Sequence, residues 1–333
     1  MSHFLVTGGS GFIGSHIVRY LLKHQCKVRV LDNFLTGNRN NLKEVMDQIE
    51  LIDGDFRDEE TSIIAVSNID YIVHLGALPS VPRSLNKPVL TTDINVNGTV
   101  NLLNMARLHG VKRIVFASSS SVYGDSPDFP RHESQSPAPI SPYAVSKLSG
   151  EYYLSSFYKL YGLETVALRF FNVFGPRQDP NSQYAAVIPR FITAVLHDHP
   201  PIVFGDGEQS RDFTYVDDLV NAIFKACLAE RAPGMVMNVA CGRRISLNNL
   251  IDLLREITKK DIHPDYTDPR PGDVRDSIAD ITRARELLGY EPKVSMAEGL
   301  AKTYHWYETS CKSNGNVHNS KNLNKSKKIE TIV

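Results

Sequence analysis

The pattern Phe4-Leu5-Val6 runs into Thr7-Gly8-Gly9-Ser10-Gly11-Phe12-Ile13-Gly14 and then, without a break, into a helical pattern from Ser15 to Lys23. That order commits the start of the chain to a strand, a glycine turn and a helix. Gly8 permits the tight turn, Gly11 lets a pyrophosphate approach the backbone, and Gly14 lets the helix pack closely on the strand. The helix start, with Phe12 and Ile13, supplies N–H groups and a partial positive charge. Leu31-Asp32-Asn33 ends the next strand pattern. A carboxylate there accepts hydrogen bonds from an adenosine ribose and repels a 2′-phosphate, so NAD is expected rather than NADP. No GxxxxGK[ST] occurs, which excludes a P-loop.

Short apolar runs continue to alternate with amphipathic stretches: Val28 to Leu31, Ile49 to Ile52, Tyr71 to Leu75, a helix from about Asp93 to Leu108, Arg113 to Phe116, a helix from about Pro142 to Tyr161, and Glu164 to Leu168. Strands alternating with helices imply a parallel sheet covered on both faces, because each parallel crossover needs a helix. The fold class is therefore α/β, a doubly wound, Rossmann-type parallel sheet with a smaller α/β substrate-binding domain. Residues 1–172 are expected to form the NAD-binding domain, to which the chain returns at about 212–240. Prolines at 176, 180, 189, 200 and 201 punctuate a looser region, and 173–311 is expected to supply the discontinuous second domain.

Composition narrows the function classes. With 37 Lys+Arg against 37 Asp+Glu, no overall charge favours nucleic acid or an anionic membrane as partner. No apolar run approaches the roughly 20 residues that span a bilayer, and the start shows no signal-peptide pattern, so a cytoplasmic protein is expected. Cys26, Cys227, Cys241 and Cys311 form no CxxC pair, and His197 with His199 lacks ligand partners at metal spacing, so no metal is expected. From Lys312 onward five Asn and five Lys lie among few apolar residues, a composition that predicts a disordered tail over 312–333.

Tyr143-Ala144-Val145-Ser146-Lys147 places a phenol and an ammonium four residues apart on one helix face. An ammonium near a phenol favours the phenolate and makes it a usable base. Alone, such a pair is a common accident. Its position changes that, because it follows a strand ending Phe116-Ala117-Ser118-Ser119-Ser120-Ser121, and ligands bind at strand ends in open α/β sheets. Ser119 is the candidate to hold the oxygen that gives its proton to Tyr143, and Ser118 a candidate cofactor or substrate contact.

The sequence resembles the extended short-chain dehydrogenase/reductase family and, within it, the nucleotide-sugar epimerases, over about residues 1–308. The resemblance is carried by TGGSGFIG at Thr7 to Gly14, Asp32-Asn33, Gly54-Asp55, His74 to Ala77, Asn95 to Thr99, the serine run, Tyr143 with Lys147, Arg169 to Asn172, Arg211-Asp212-Phe213 and Arg270 to Asp273. It implies that Asp55 and Phe56 border the adenine, that Gly37, Leu75, Gly76, Ala77 and Asn95 line the dinucleotide, and that Phe171 lies near the nicotinamide, with Tyr143 and Lys147 also meeting the cofactor. It further implies that Asn172, Val187, Arg211, Arg270 and Asp273 hold a uridine diphosphate. Two guanidinium forks suit a diphosphate.

Where related 4,6-dehydratases carry an Asp-Glu pair for water elimination, this chain has Ser120 and Ser121, and neither hydroxyl can replace a carboxylate in proton transfer. The resemblance also implies that Ser277 stands where 4-epimerases carry a residue limiting room around the sugar's C2 substituent, and a serine there would leave volume for an N-acetyl group. The segments Ala77 to Ser84 and Asn172 to Pro180 are most similar to bacterial UDP-N-acetylglucosamine 4-epimerases, which would put Ser80 and Arg83 near the sugar, although Pro79 replaces a frequent glycine. The resemblance thus implies NAD-dependent 4-epimerisation of a UDP-hexose, with UDP-glucuronate 4-epimerisation as the rival. A non-catalytic NAD sensor is disfavoured because tyrosine and lysine are both present. It also implies a homodimer through a four-helix bundle, for which Leu102, Leu103, Met105, Ala106, Leu154, Phe157 and Leu160 are the apolar candidates.

Overall fold

The computed structural model describes residues 1–179, 186–269 and 275–318. Strand β1 (His3–Thr7) turns into α1 (Phe12–Lys23), followed by β2 (Lys27–Asp32), β3 (Glu50–Asp53), α2 (Glu59–Val66) and β4 (Tyr71–His74). Next come α3 (Val81–Asn86), α4 (Pro88–Thr92), a π-helical turn at Asp93–Asn97, α5 (Gly98–Leu108), β5 (Arg113–Ser119), α6 (Pro142–Tyr161) and β6 (Glu164–Phe170). The remainder is β7 (Val173–Phe174), α7 (Val187–Leu196), β8 (Ile202–Phe204), β9 (Ser210–Arg211), β10 (Thr214–Tyr215), α8 (Val216–Leu228), β11 (Val236–Val239), β12 (Ile245–Ser246), α9 (Leu247–Thr258), β13 (Asp265–Thr267), α10 (Thr282–Leu288) and α11 (Met296–His318).

Seven parallel strands form one sheet in the order β3-β2-β1-β4-β5-β6-β11. Successive strands move outward from β1 in one direction and then from β4 in the other, so a crevice opens at the carboxyl ends of β1 and β4. Strand alternation feeds both faces. Phe4 and Val6 join a cluster with Ile17, Val18 and Leu21 of α1 and Val220 and Ile223 of α8, whereas Leu5 and Leu31 join Leu102, Leu103, Leu154 and Phe157 of α5 and α6. Strand β11 returns to the sheet beside β6 after α8. The two-stranded ribbons β10-β7, β12-β9 and β13-β8 lie outside it, and their strands β7, β9 and β8 contribute to the wall of a separate cavity.

Three local outcomes differ from the sequence expectations. The helix expected from Asp93 begins earlier, at Pro88, and is interrupted by the π-turn at Asp93–Asn97, a widening that marks functional positions in helices and here carries Asn95. Helix α11 continues to His318, seven residues into the segment expected to lack structure; its buried Leu300, Thr303, Tyr304 and Tyr307 nucleate a helix that then propagates. Residues 319–333 lie outside the described residues. Of the seven candidates for a dimer surface, Leu102, Leu103, Met105, Ala106, Leu154 and Phe157 are buried against the sheet, and Leu160 alone of them is exposed. Exposed apolar side chains on α3, α4 and α6 also include Leu85, Val89, Val145 and Tyr152.

Candidate active site

The glycine turn crosses the crevice at the end of β1. Gly8 has φ +70, which a side chain rarely tolerates, and its N–H donates to Leu31 O at 2.9 Å. At Gly14 a Cβ would sit 2.1 Å from Gly8 O and 2.7 Å from Gly9 Cα, so α1 can approach the turn only without a side chain there. Ser15 N–H closes the first helical turn on Gly11 O at 2.9 Å, leaving the amides of Phe12 and Ile13 as end groups that an anion can take. A cradle that any Cβ would fill, at the positive end of a helix, fits the pyrophosphate of a dinucleotide.

Asp32 follows on the neighbouring strand. Its Oδ2 accepts Ser10 N–H at 2.9 Å and its Oδ1 accepts Phe34 N–H at 2.8 Å, which aims the carboxylate along the rim of the turn. Gly37 lies against it, since a Cβ there would meet Ser10 Oγ and Asp32 Oδ1. Asp55 is gripped by Arg57 through N, Nε and Nη2 and by Asn33 Nδ2. Burial works to raise the Asp55 pKa, but the hydrogen bonds from Arg57 and Asn33 prevail and hold it below the ordinary carboxylate value. The Phe56 ring packs between the backbones of Gly76 and Gly98.

Beneath the crevice runs a hydrogen-bond chain that the sequence reading missed. Gly76 N–H donates to Thr7 Oγ1 at 3.1 Å, which meets His74 Nδ1 at 2.7 Å; His74 Nε2 meets Thr99 Oγ1 at 3.0 Å, and Thr99 Oγ1 donates to Asn95 O at 2.7 Å. Because the Thr99 proton is spent on Asn95 O, Nε2 must carry the imidazole proton and Nδ1 must accept from Thr7. Burial, with the nearby Lys147 charge, drives the His74 pKa down to about 3, consistent with a neutral ring. Asn95 itself accepts Leu78 N–H at 2.7 Å and donates to Leu78 O and to Ser146 Oγ. Its amide, expected to line the dinucleotide, therefore ties the loop after Leu75, Gly76 and Ala77 to α6.

At the end of β5, Ser119, Tyr143 and Lys147 come together. Ser119 Oγ accepts from Ser121 N at 3.2 Å and from Ser121 Oγ at 2.9 Å, so its own proton is left for Tyr143, with which it is hydrogen-bonded. Lys147 Nζ donates to Ala117 O at 2.8 Å and lies 5.9 Å from the centre of the Tyr143 ring. Burial pulls the Lys147 ammonium down to about 7. The Tyr143 phenol is pushed above its ordinary pKa by burial, with the Ser119 hydrogen bond opposing. In the chain by itself burial outweighs the Ser119 hydrogen bond, so the lowering expected from Lys147 together with a cationic nicotinamide belongs to the cofactor-loaded centre. Ser118, expected at a ligand, turns inward, and its hydroxyl donates to Glu151. Phe171, expected near the nicotinamide, has a fully buried ring, 6.2 Å from the Tyr123 ring.

A cavity of about 230 Å³ adjoins this centre in sequence and is lined by Asn172, Val187 and Arg211 together with Phe204, Gln209, Phe213 and Leu247. Asn172 takes φ +28, a conformation asparagine tolerates better than most residues, and donates from Nδ2 to Asp212 O at 3.2 Å. Asp212 accepts N–H groups from Cys241, Gly242 and Ala279, binding the strand that carries Arg211 to two loops. Ser277 N–H donates to Ser210 O at 3.1 Å, which sets Ser277 beside the Arg211 wall. Ser80, at φ 110, caps α3 by accepting Arg83 N–H. Arg270 and Asp273 lie outside the described residues. The apolar lining escaped sequence reading because Phe204 and Leu247 come from separate segments and carry no local motif, while Phe213 was read only as part of the Arg211-Asp212-Phe213 run and not as a cavity wall.

Among the described residues no three His, Cys, Asp or Glu side chains cluster as metal ligands, and no helix is long and apolar enough to cross a membrane. Residues 4–240 match the NAD dependent epimerase/dehydratase family. The chain is 40% identical over 307 residues to the UDP-glucose 4-epimerase of Mycolicibacterium smegmatis, covering 91% of this chain and 97% of that one. It superposes with a TM-score of 0.89 on a UDP-N-acetylglucosamine 4-epimerase from Methanobrevibacter ruminantium bound to UDP-N-acetylmuramic acid, at 40% identity over 93% of this chain and 99% of that one. A UDP-glucuronic acid 4-epimerase from Bacillus cereus, solved with UDP-glucuronic acid and NAD, gives 0.86 at 32% identity over 92% and 99%. With its glycine turn, the Asp32 carboxylate at the end of β2 and a tyrosine–lysine helix set on such a sheet, the chain belongs to the NAD dependent epimerase/dehydratase family.

Proposed function

We propose that the protein interconverts UDP-hexoses at C4, with UDP-N-acetylglucosamine and UDP-N-acetylgalactosamine as the preferred pair. The observation that carries this reading is the Tyr143 phenol hydrogen-bonded to Ser119 at the end of β5, beside the dinucleotide turn. Bound NAD supplies reversible hydride acceptance from C4. Tyr143 takes the proton of the C4 hydroxyl, Ser119 donates to O4 and orients it, and Lys147 brings a positive charge to the same centre. Burial keeps Tyr143 protonated in the structure, so a positive charge arriving close to the phenol is what lowers its pKa to a working value.

Epimerisation further requires that the nucleotide be held while the sugar turns. The cavity of Asn172, Val187, Arg211, Phe204 and Phe213 suits a uridine diphosphate, with apolar walls for the base and a guanidinium for the phosphates. Ser277, placed by Ser210 beside Arg211, is the proposed limit on the C2 substituent, and Ser80 and Arg83 the proposed contacts near the sugar. Homologues that act on UDP-glucose, UDP-N-acetylglucosamine and UDP-glucuronic acid share the fold, so side chains at such positions must separate the substrates. Self-association is also proposed. Val89 is 81% exposed on α4 and Tyr152 62% exposed on α6, adjacent helices that together present an apolar surface.

Three outcomes check this reading. Tyr143→Phe should lower kcat by about 10³-fold while NAD and UDP still bind, measured by coupled assay and equilibrium dialysis; wild-type turnover in this variant would refute the base assignment. In a panel of UDP-glucose, UDP-N-acetylglucosamine and UDP-glucuronate, the N-acetylated sugar should have the highest kcat/KM, and Ser277→Tyr should reduce it at least about tenfold while sparing UDP-glucose. A preference for UDP-glucuronate would favour the rival. Sedimentation should show a dimer that Val89→Arg converts to monomer; a wild-type monomer would remove the dimer from the proposal.

A further inference from the structure

Behind the reaction centre lies a buried ion pair that the proton transfer does not use. Glu151 stands on α6 four residues after Lys147 and eight after Tyr143, so the three share a helix face. Its Oε1 accepts Arg169 Nε at 2.9 Å, its Oε2 accepts Arg169 Nη2 at 2.7 Å, and Ser118 Oγ donates to Oε1 at 2.5 Å. Ser118 and Arg169 are register partners on β5 and β6. Both members of the pair are nearly inaccessible, Arg169 4% and Glu151 3% exposed.

Buried ion pairs of this kind can often be exchanged for apolar side chains without loss of stability, so holding the fold together does not by itself call for one. What the pair adds is direction. A two-pronged guanidinium fixes the plane of the carboxylate, and the carboxylate fixes the Ser118 hydroxyl. Lys147 Nζ donates to Ala117 O, the residue before Ser118, and a Cβ at Gly150 would lie 2.6 Å from Phe116 Cζ, so α6 already sits hard on β5. Two polar anchors, one helical turn apart on α6 and one residue apart on β5, stop the helix from sliding. The Arg169 guanidinium also covers the Tyr123 ring at 4.6 Å; Tyr123 OH donates to Asn238 Oδ1, and Asn238 Nδ2 donates to Arg131 O and Asp280 O. The network thereby extends to the segment that carries Ser277.

We propose that Glu151 and Arg169 are positioning residues for the reaction centre, locking α6 in register on β5 through Ser118 so that Tyr143 and Lys147 meet the substrate oxygen in one geometry. The proposal rests on the epimerase reading only for its turnover readout. Its test compares the full-length, NAD-loaded protein with Glu151→Met/Arg169→Met, which removes both charges together, and with Arg169→Lys, which keeps the charge but loses the fork. Melting temperature, NAD bound per protomer, kcat and KM for UDP-N-acetylglucosamine, and the phenolate absorbance on alkaline titration that Tyr143→Phe abolishes are measured for each. Expected are retained NAD and a KM within about twofold, with kcat lower by about thirtyfold in the double variant and about fivefold in Arg169→Lys. The Tyr143 ionisation should be displaced by about one pH unit in the double variant.

Unchanged kcat together with an unchanged Tyr143 ionisation overturns the proposal. So does a loss of kcat matched by equal losses of NAD and melting temperature, which marks a merely structural pair. If the double variant does not fold, Arg169→Lys decides by its kcat against its retained KM and NAD. A wild-type protein that turns over no UDP-sugar defeats the epimerase reading, while the titration still decides the positioning role.

Discussion

How closely α6 can lie on β5 sets the chemistry this chain can perform. Gly150 over Phe116 removes the side chain that would hold the two apart, and Lys147 then reaches Ala117 O at the strand end. The same approach sets Tyr143 against Ser119, and both stand next to the crevice at the carboxyl ends of β1 and β4, where the connections leave in opposite directions. A parallel sheet with helices on both faces provides that crevice, and the glycine turn after β1 keeps it open to a pyrophosphate. The site is thus a consequence of two close approaches of backbone, one under α1 and one under α6.

Electrostatics around the centre are arranged by burial more than by charge pairing. His74 is kept neutral, Lys147 is brought to about 7 and the Tyr143 phenol is raised, each with desolvation as the leading cause. Arg169 answers the Glu151 carboxylate directly through two hydrogen bonds, so the carboxylate nearest to Lys147 along α6 is already engaged. Beyond the centre the chain's overall balance of 37 basic and 37 acidic residues hides an uneven distribution: residues 312–333 hold five Lys and one Glu, 5 − 1 = +4, leaving 32 − 36 = −4 for the rest. A body with net negative charge must gather its arginines to hold a diphosphate, and Arg211 stands in the cavity wall where the proposed function would need one.

Much of this was legible from local pattern. The glycine turn, Asp32 at the end of β2, and the helix from Pro142 to Tyr161 are consecutive in sequence and fixed by period and turn chemistry, and the structure places them as read. What pattern could not show depends on pairing across the chain. The inward turn of Ser118 follows from its register with Arg169, fifty-one residues later by numbering, and the Thr7–His74–Thr99 chain joins three separate elements. Glu151 left a trace, since Tyr143, Lys147 and Glu151 repeat every four residues, but the meaning of the third position needs Arg169 beside it. Six of the seven apolar residues offered for a dimer surface proved buried for a related reason: helix period alone does not say which face meets the sheet.

A 4-epimerase of this design returns to the sugar the same hydride that it removed, with no exchange with water at C4. The direct measurement is to supply UDP-N-acetylglucosamine carrying deuterium at C4, let the NAD-loaded protein bring it to equilibrium, and read the label in the product by mass spectrometry and proton NMR. Epimerisation through Tyr143 and bound NAD predicts UDP-N-acetylgalactosamine with the deuterium still on C4. Epimer in which the label has been replaced by solvent hydrogen would contradict it.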